Sequence, residues 1–375
     1  MSYSARFQEL SSQFEIGKDV EIENSDILIR FFPFKSRRSF TGVSGEINSF
    51  IISDSVKENE VFEFPVFVQS SVKKYNEVIL LLHGLNERNW SKYLPWAEYL
   101  CKHTGKAVLL FPIAFHVNRA PHTWSNPRFL QKMLDLRRNL HGQDRSLTFA
   151  NVALSERLTD NPQRFYSSGR QSFDDIVKLI TDIKAGKLPL FDRNIKIDVF
   201  AYSIGAFLSQ VLFLSNPHDY FSESKLFMFC GGSIFNSMYG ESRSIMDKKS
   251  YEKLFTFYQT GFWAEKIAIK TGDDVMAAFY SMLTPDNDKA KRMNIFKQMR
   301  QRIAGISLAF DKVVPYHGVV QALGHDCASK TITLLDFPYE YTHESPFPVT
   351  KQVDKQEVDE SFLHVFRQAA GFLGN

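Results

Sequence analysis

Along this chain, short unbroken apolar runs alternate with stretches in which apolar residues recur every three or four positions. The runs Val78–Leu82, Ala107–Pro112, Ile195–Phe200, Lys225–Cys230, Ile303–Phe310 and Thr331–Leu335 predict strands, the unbroken ones covered on both faces. Between them, Trp90, Tyr93, Leu94, Ala97, Leu100 and Cys101 lie at helical spacing, and Gly105 stops that helix. Ser172 is a candidate N-cap for a second helix carrying Phe173, Ile176, Val177, Ile180 and Ile183 on one face. Further helices are predicted at Ala206–Leu212, after Pro315, and at the end, where Val358, Phe362, Phe366, Ala369 and Leu373 form a stripe. Strand and helix in alternation make a parallel sheet with helices on both faces. Ahead of it, Ile27–Phe32 and Val61–Val68 read as an antiparallel lead-in, separated by a polar stretch containing Gly42 and Gly45.

Two segments break the alternation. From Ala120 to Gln171 the periodicity fades into mixed aromatics, arginines and prolines, a length that implies function or small helices of its own. From Ser233 to Arg302 two helical stripes follow one another with no strand between: Tyr251, Leu254, Phe255, Tyr258, Phe262, then Val275, Met276, Phe279, Tyr280, Leu283. The expected organisation is an N-terminal extension with the first antiparallel strand (1–60), a core (61–232 and 303–375, with the 120–171 insertion), and a helical cap (233–302).

Length and composition sharpen this only in part. The chain's 375 residues suffice for one large α/β domain with insertions or for two domains. With 45 basic and 42 acidic residues interspersed, no basic stripe points to nucleic acid. No run of 18 or more apolar residues predicts a membrane span, and the start lacks a signal-peptide core, so a cytoplasmic protein is expected. Cys101, Cys230 and Cys327 are too few and too far apart for a disulfide framework or a zinc knuckle, and Cys101 and Cys230, in apolar runs, read as buried thiols. The 35 phenylalanines exceed what ordinary usage supplies and suit both a core and an apolar pocket.

The chemistry centres on Ala201-Tyr202-Ser203-Ile204-Gly205, which joins a predicted strand to a predicted helix. A serine hydroxyl attacks a carbonyl only when a base takes its proton and N–H groups meet the oxyanion. A sharp strand-to-helix turn exposes the serine, and small residues two before and two after it avoid the neighbouring strand and helix; Ala201 and Gly205 meet that need. Asp311 follows one later strand and His343 another, and such residues collect at strand carboxyl ends. Asp311 is also a candidate cap for the next helix, and Asp336 is a rival acid; His317 and His325 compete with His343 but fall in a helical pattern. His116 and His122 have no carboxylate or cysteine at metal-ligand spacing, so no metal is expected.

The order Ser203, Asp311, His343, with His83-Gly84 after an early strand, resembles the α/β-hydrolase family from about Val61 to Leu373. The resemblance implies a doubly wound, mostly parallel eight-stranded sheet, a cap inserted before the acid strand, a Ser203–His343–Asp311 triad, and an oxyanion hole from the backbone N–H groups of Leu85 and Ile204. His83 is expected to brace the oxyanion loop. Asn86, Arg88 and Tyr202 are candidate substrate contacts, Glu87 a solvated charge, and Arg119 and Arg128 candidate polar anchors. The expected activity is hydrolysis of an acyl bond, a carboxylic ester first, on an apolar small-molecule substrate, with no cofactor. Thioesterase, acyltransferase, amidase or peptidase chemistry uses the same triad, and a non-catalytic binding protein shares the fold. Oligomeric state stays open.

Overall fold

The structure, a computed structural model, describes residues 2–37, 56–262 and 272–375, so the stretch with Gly42 and Gly45 lies outside the described residues. Among these, one sheet contains β1 (Val20–Glu21), β2 (Ile27–Lys35), β3 (Val61–Gln69), β4 (Tyr75–Leu82), β5 (Ala107–Leu110), β6 (Phe191–Tyr202), β7 (Leu226–Phe229), β8 (Ile303–Leu308) and β9 (Ile332–Leu335). Their spatial order is β1-β2-β3-β5-β4-β6-β7-β8-β9. β2 runs antiparallel to β1 and β3, and β3 to β5; every pairing from β5 to β9 is parallel. The eight expected strands are therefore nine, because the chain before β2 adds the two-residue edge strand β1.

The unbroken apolar runs have a direct physical cause. In β4, Val78, Leu80 and Leu82 join one core, while Ile79 and Leu81 join another on the opposite face. Helices Arg164–Lys184 and Ile204–Ser215 contribute to the first core, and helices Leu94–Thr104 and Lys355–Gly374 to the second. Gly105 ends the helix before β5 with φ +70°, a conformation glycine takes without steric cost. All five residues of the C-terminal stripe are buried. Cys101, Cys230 and Cys327 are buried free thiols.

Two expectations change in the 120–171 segment. It contains helices Pro127–His141 and Val152–Asp160, the first of them fifteen residues long. The next helix begins at Arg164 rather than after Ser172. Ser168 and Ser172 lie inside it, donating their hydroxyls to the carbonyls of Arg164 and Ser168, so these polar residues continue the helix they were expected to precede. The 233–302 segment holds helices Lys248–Thr256, Asp274–Ser281 and Lys289–Gln298. Arg137 links the two segments by pairing with Asp247, which also caps helix Lys248–Thr256.

The strands finish level with one another. Leu82 pairs with Ala201, Tyr202 with Phe229, Phe229 with Ile306, and Leu308 with Leu335. The loops that follow β4, β6, β7, β8 and β9 thus leave one edge of the sheet together.

Candidate active site

Ser203 occupies the turn between β6 and helix Ile204–Ser215 with φ +56° and ψ −121°, backbone angles that a non-glycine residue rarely adopts. The surroundings enforce them. A Cβ on Gly205 would stand 2.6 Å from the Leu82 carbonyl oxygen and 2.8 Å from that of His83. A Cβ on Gly231 would stand 2.5 Å from that of Ala206 and 3.0 Å from the Ser203 carbonyl oxygen. The turn is pressed between the ends of β4 and β7 with no room for side chains. Gly205→Ala is accordingly expected to destabilise the protein by about 1–3 kcal/mol, the usual cost of overpacking, read as a lowered urea midpoint.

Ser203, His343 and Asp311 come together although 140 and 32 residues separate the histidine from its partners. Ser203 Oγ lies 2.6 Å from His343 Nε2, and His343 Nδ1 lies 2.8 Å from Asp311 Oδ2. All three are buried, at 5%, 4% and 4% exposure, so water competes little for these bonds. The other oxygen of Asp311 accepts from the N–H groups of Val313 and Val314, which precede the helix Tyr316–Leu323 and its N-cap Pro315, so Asp311 closes the turn ahead of that helix instead of capping it. The rivals stand apart: Asp336 is exposed and accepts from Tyr341, and His317 and His325 are exposed.

The loop after β4 is held from beneath. His83 Nδ1 donates to the Gly84 carbonyl, and its Nε2 accepts from the N–H of Ile113. Burial, with His116 beside it, pushes the His83 imidazole well below its ordinary pKa, so the ring is neutral and keeps this tautomer. Among the described residues, the N–H groups of Leu85 and Ile204 donate to no protein group. Both residues border a cavity that reaches Ser203. Their amides are therefore free for an oxygen bound there.

The three residues expected to contact substrate are not free of protein partners. Tyr202 is 1% exposed; burial holds its phenol protonated, and it donates to the His343 carbonyl while its ring stacks on the imidazole at 5.6 Å and 17°. Asn86 donates to the carbonyls of Ala150 and Ser244, and Arg88 to those of Phe149 and Ala150. They fasten the β4 loop to both inserted segments. Arg119 is no anchor: it is fully buried and paired with Asp175 at 2.7 Å. Arg128 is exposed at the start of helix Pro127–His141. Glu87, expected as a solvated charge, accepts from Tyr93, whose hydroxyl accepts from the Gly84 N–H. A sequence displays such charges but not the partners that bury them.

Two apolar cavities meet beside Ser203. One is lined by Ser203, Phe235, Met238, Met246, Leu254 and Val314 among others. A larger one takes Phe165, Phe173, Phe207 and Phe279 into its wall. Both share Leu85, Phe165 and Ile204. Among the described residues no cluster of His, Cys, Asp and Glu could hold a metal ion, and no helix is long and apolar enough to cross a membrane.

The strand order and directions give this chain the α/β-hydrolase fold. Within that class it belongs to a family of unknown function (DUF6051), whose description matches residues 1–374. No curated protein matches the chain. Solved structures similar to it include carboxyl esterase 2 of the fungus Tuber melanosporum, at 10% identity and TM-score 0.46, covering 98% of this chain and 96% of that one. A Rhizomucor miehei esterase gives 11% identity and TM-score 0.46, covering 99% and 89%. The Pyrococcus horikoshii acylaminoacyl peptidase gives 12% and 0.43, covering 92% of this chain and 41% of that one.

Proposed function

We propose that the protein is a serine hydrolase that cleaves neutral carboxylic esters with apolar substituents. The observation that carries this reading is the buried relay from Ser203 Oγ through His343 to Asp311, opening on a cavity lined by apolar side chains. Ser203 Oγ bonds to the ester carbon as its proton passes to His343 Nε2, and the carbonyl electron pair moves onto oxygen. The N–H groups of Leu85 and Ile204 receive that oxyanion. Collapse breaks the bond to the alcohol, which leaves with the proton from His343. Water then adds by the same route, and the acid is released with Ser203 restored. This cycle needs no cofactor.

The choice of a neutral ester rests on the lining. Among the described residues, no charged side chain borders the cavity that holds Ser203. The larger cavity includes Arg170, but its guanidinium is occupied by Asp174 and Asp273. Among the described residues, a phosphorylated carrier thioester would find no unpaired cation there.

A fluorophosphonate probe tests the nucleophile and a graded panel of p-nitrophenyl esters tests the pocket. Labelling of the wild-type protein, its loss in Ser203→Ala, and kcat/KM rising from acetyl to medium chains are expected. Equal labelling of both proteins would sink the reading.

A further inference from the structure

We propose that Lys92 is a positioning residue of this site, an ammonium clamp that sets the spacing between the oxyanion loop and the histidine loop. The inference rests on the reading of Ser203, His343 and Asp311 given above. Lys92 stands in the single 3₁₀ turn Ser91–Tyr93 that precedes the helix after β4, and its side chain is 16% exposed. Its Nζ pairs with Glu87 and donates to the Glu344 carbonyl at 3.1 Å. It also lies 4.5 Å from the centroid of the Tyr202 ring and 5.1 Å from that of Tyr93.

Each of these partners leads to a reacting group. Glu87 accepts from Tyr93 at 2.8 Å, and Tyr93 accepts from the N–H of Gly84 at 2.9 Å, next to Leu85. Glu344 follows His343 in the chain. Tyr202 precedes Ser203 and holds the His343 carbonyl. One ammonium therefore ties together the loops that carry the oxyanion amide, the base and the nucleophile. The oxyanion loop packs closely on the Tyr202 ring, since a Cβ on Gly84 would stand 3.1 Å from it. Lys92 limits movement outward. A compact cation with several donors suits this junction, since it satisfies a carboxylate, a carbonyl and an aromatic face at once.

The test compares Lys92→Met, Lys92→Arg and wild type for p-nitrophenyl butyrate hydrolysis and for inhibition by an alkyl trifluoromethyl ketone, whose serine adduct carries an oxyanion. Lys92→Met is expected to lose about 10–100-fold in kcat, the scale of a misplacement near 1 Å, with KM within about twofold. Inhibition by the ketone should weaken by the same factor, and Lys92→Arg should recover most of both. Glu87→Gln keeps an acceptor for Tyr93 but removes the ion pair, so it should fall between, and it serves if Lys92→Met does not fold. An unchanged kcat in either variant, or a lower kcat with undiminished ketone affinity, overturns the clamp. Turnover that survives Ser203→Ala instead overturns the hydrolase reading, a separate outcome.

Discussion

Replacing Ser203 by alanine is expected to lower kcat for an activated ester by about 10⁶-fold, with the unfolding midpoint close to that of the wild type. The hydroxyl is the group that forms the covalent bond in the proposed cycle, so the binding left behind cannot replace it. Asp311→Asn should cost less, about 10⁴-fold, for a reason visible in its two oxygens. An amide oxygen can still accept from Val313 and Val314, which turns the amide NH₂ toward His343. Nδ1 must then become an acceptor, the proton moves to Nε2, and the ring can no longer take one from Ser203. Circular dichroism alongside steady-state kinetics checks both variants. A kcat for Ser203→Ala within tenfold of wild type contradicts the mechanism.

The second large effect concerns stability. Arg119→Met is expected to cost about 3–5 kcal/mol, the scale of breaking a buried ion pair from one side. Arg119 donates to the Asn59 side chain, the carbonyls of Asn59 and Pro112, and Asp175. It also packs over the Phe62 ring at 4.3 Å. Burial raises the Asp175 carboxyl above its ordinary pKa even with the guanidinium alongside, so removing Arg119 leaves an acid that its surroundings cannot keep charged. Adding Asp175→Leu to Arg119→Met should return part of the loss by removing the buried carboxyl left behind. Urea midpoints of both variants measure this; a double variant no more stable than Arg119→Met contradicts it.

The sheet was legible because its central strands are covered on both faces, so Val78–Leu82 and its counterparts had to be apolar without interruption. The meeting of Ser203, Asp311 and His343 was legible because the strand pattern already marked the loops that carry them. β1 left no trace, since two residues, Val20 and Glu21, carry no periodicity. The start of helix Arg164–Lys184 was hidden by serines whose hydroxyls return to the carbonyl four residues back instead of capping. The protein partners of Arg119, Asn86, Arg88 and Lys92 were hidden for one shared reason. Each is a polar residue whose meaning depends on partners distant in sequence, and nothing local records whether it meets water, a carbonyl or a carboxylate.

Leu85 and Ile204 divide their labour between backbone and side chain. On the proposed mechanism their N–H groups stabilise charge, while the same two residues line both cavities. Trimming or enlarging either side chain would reshape that lining and leave the amide in place. Selectivity and rate are thus separately adjustable at the same two positions, and a redesign of the acyl preference can start there without disturbing the hydrogen bonds that drive the chemistry.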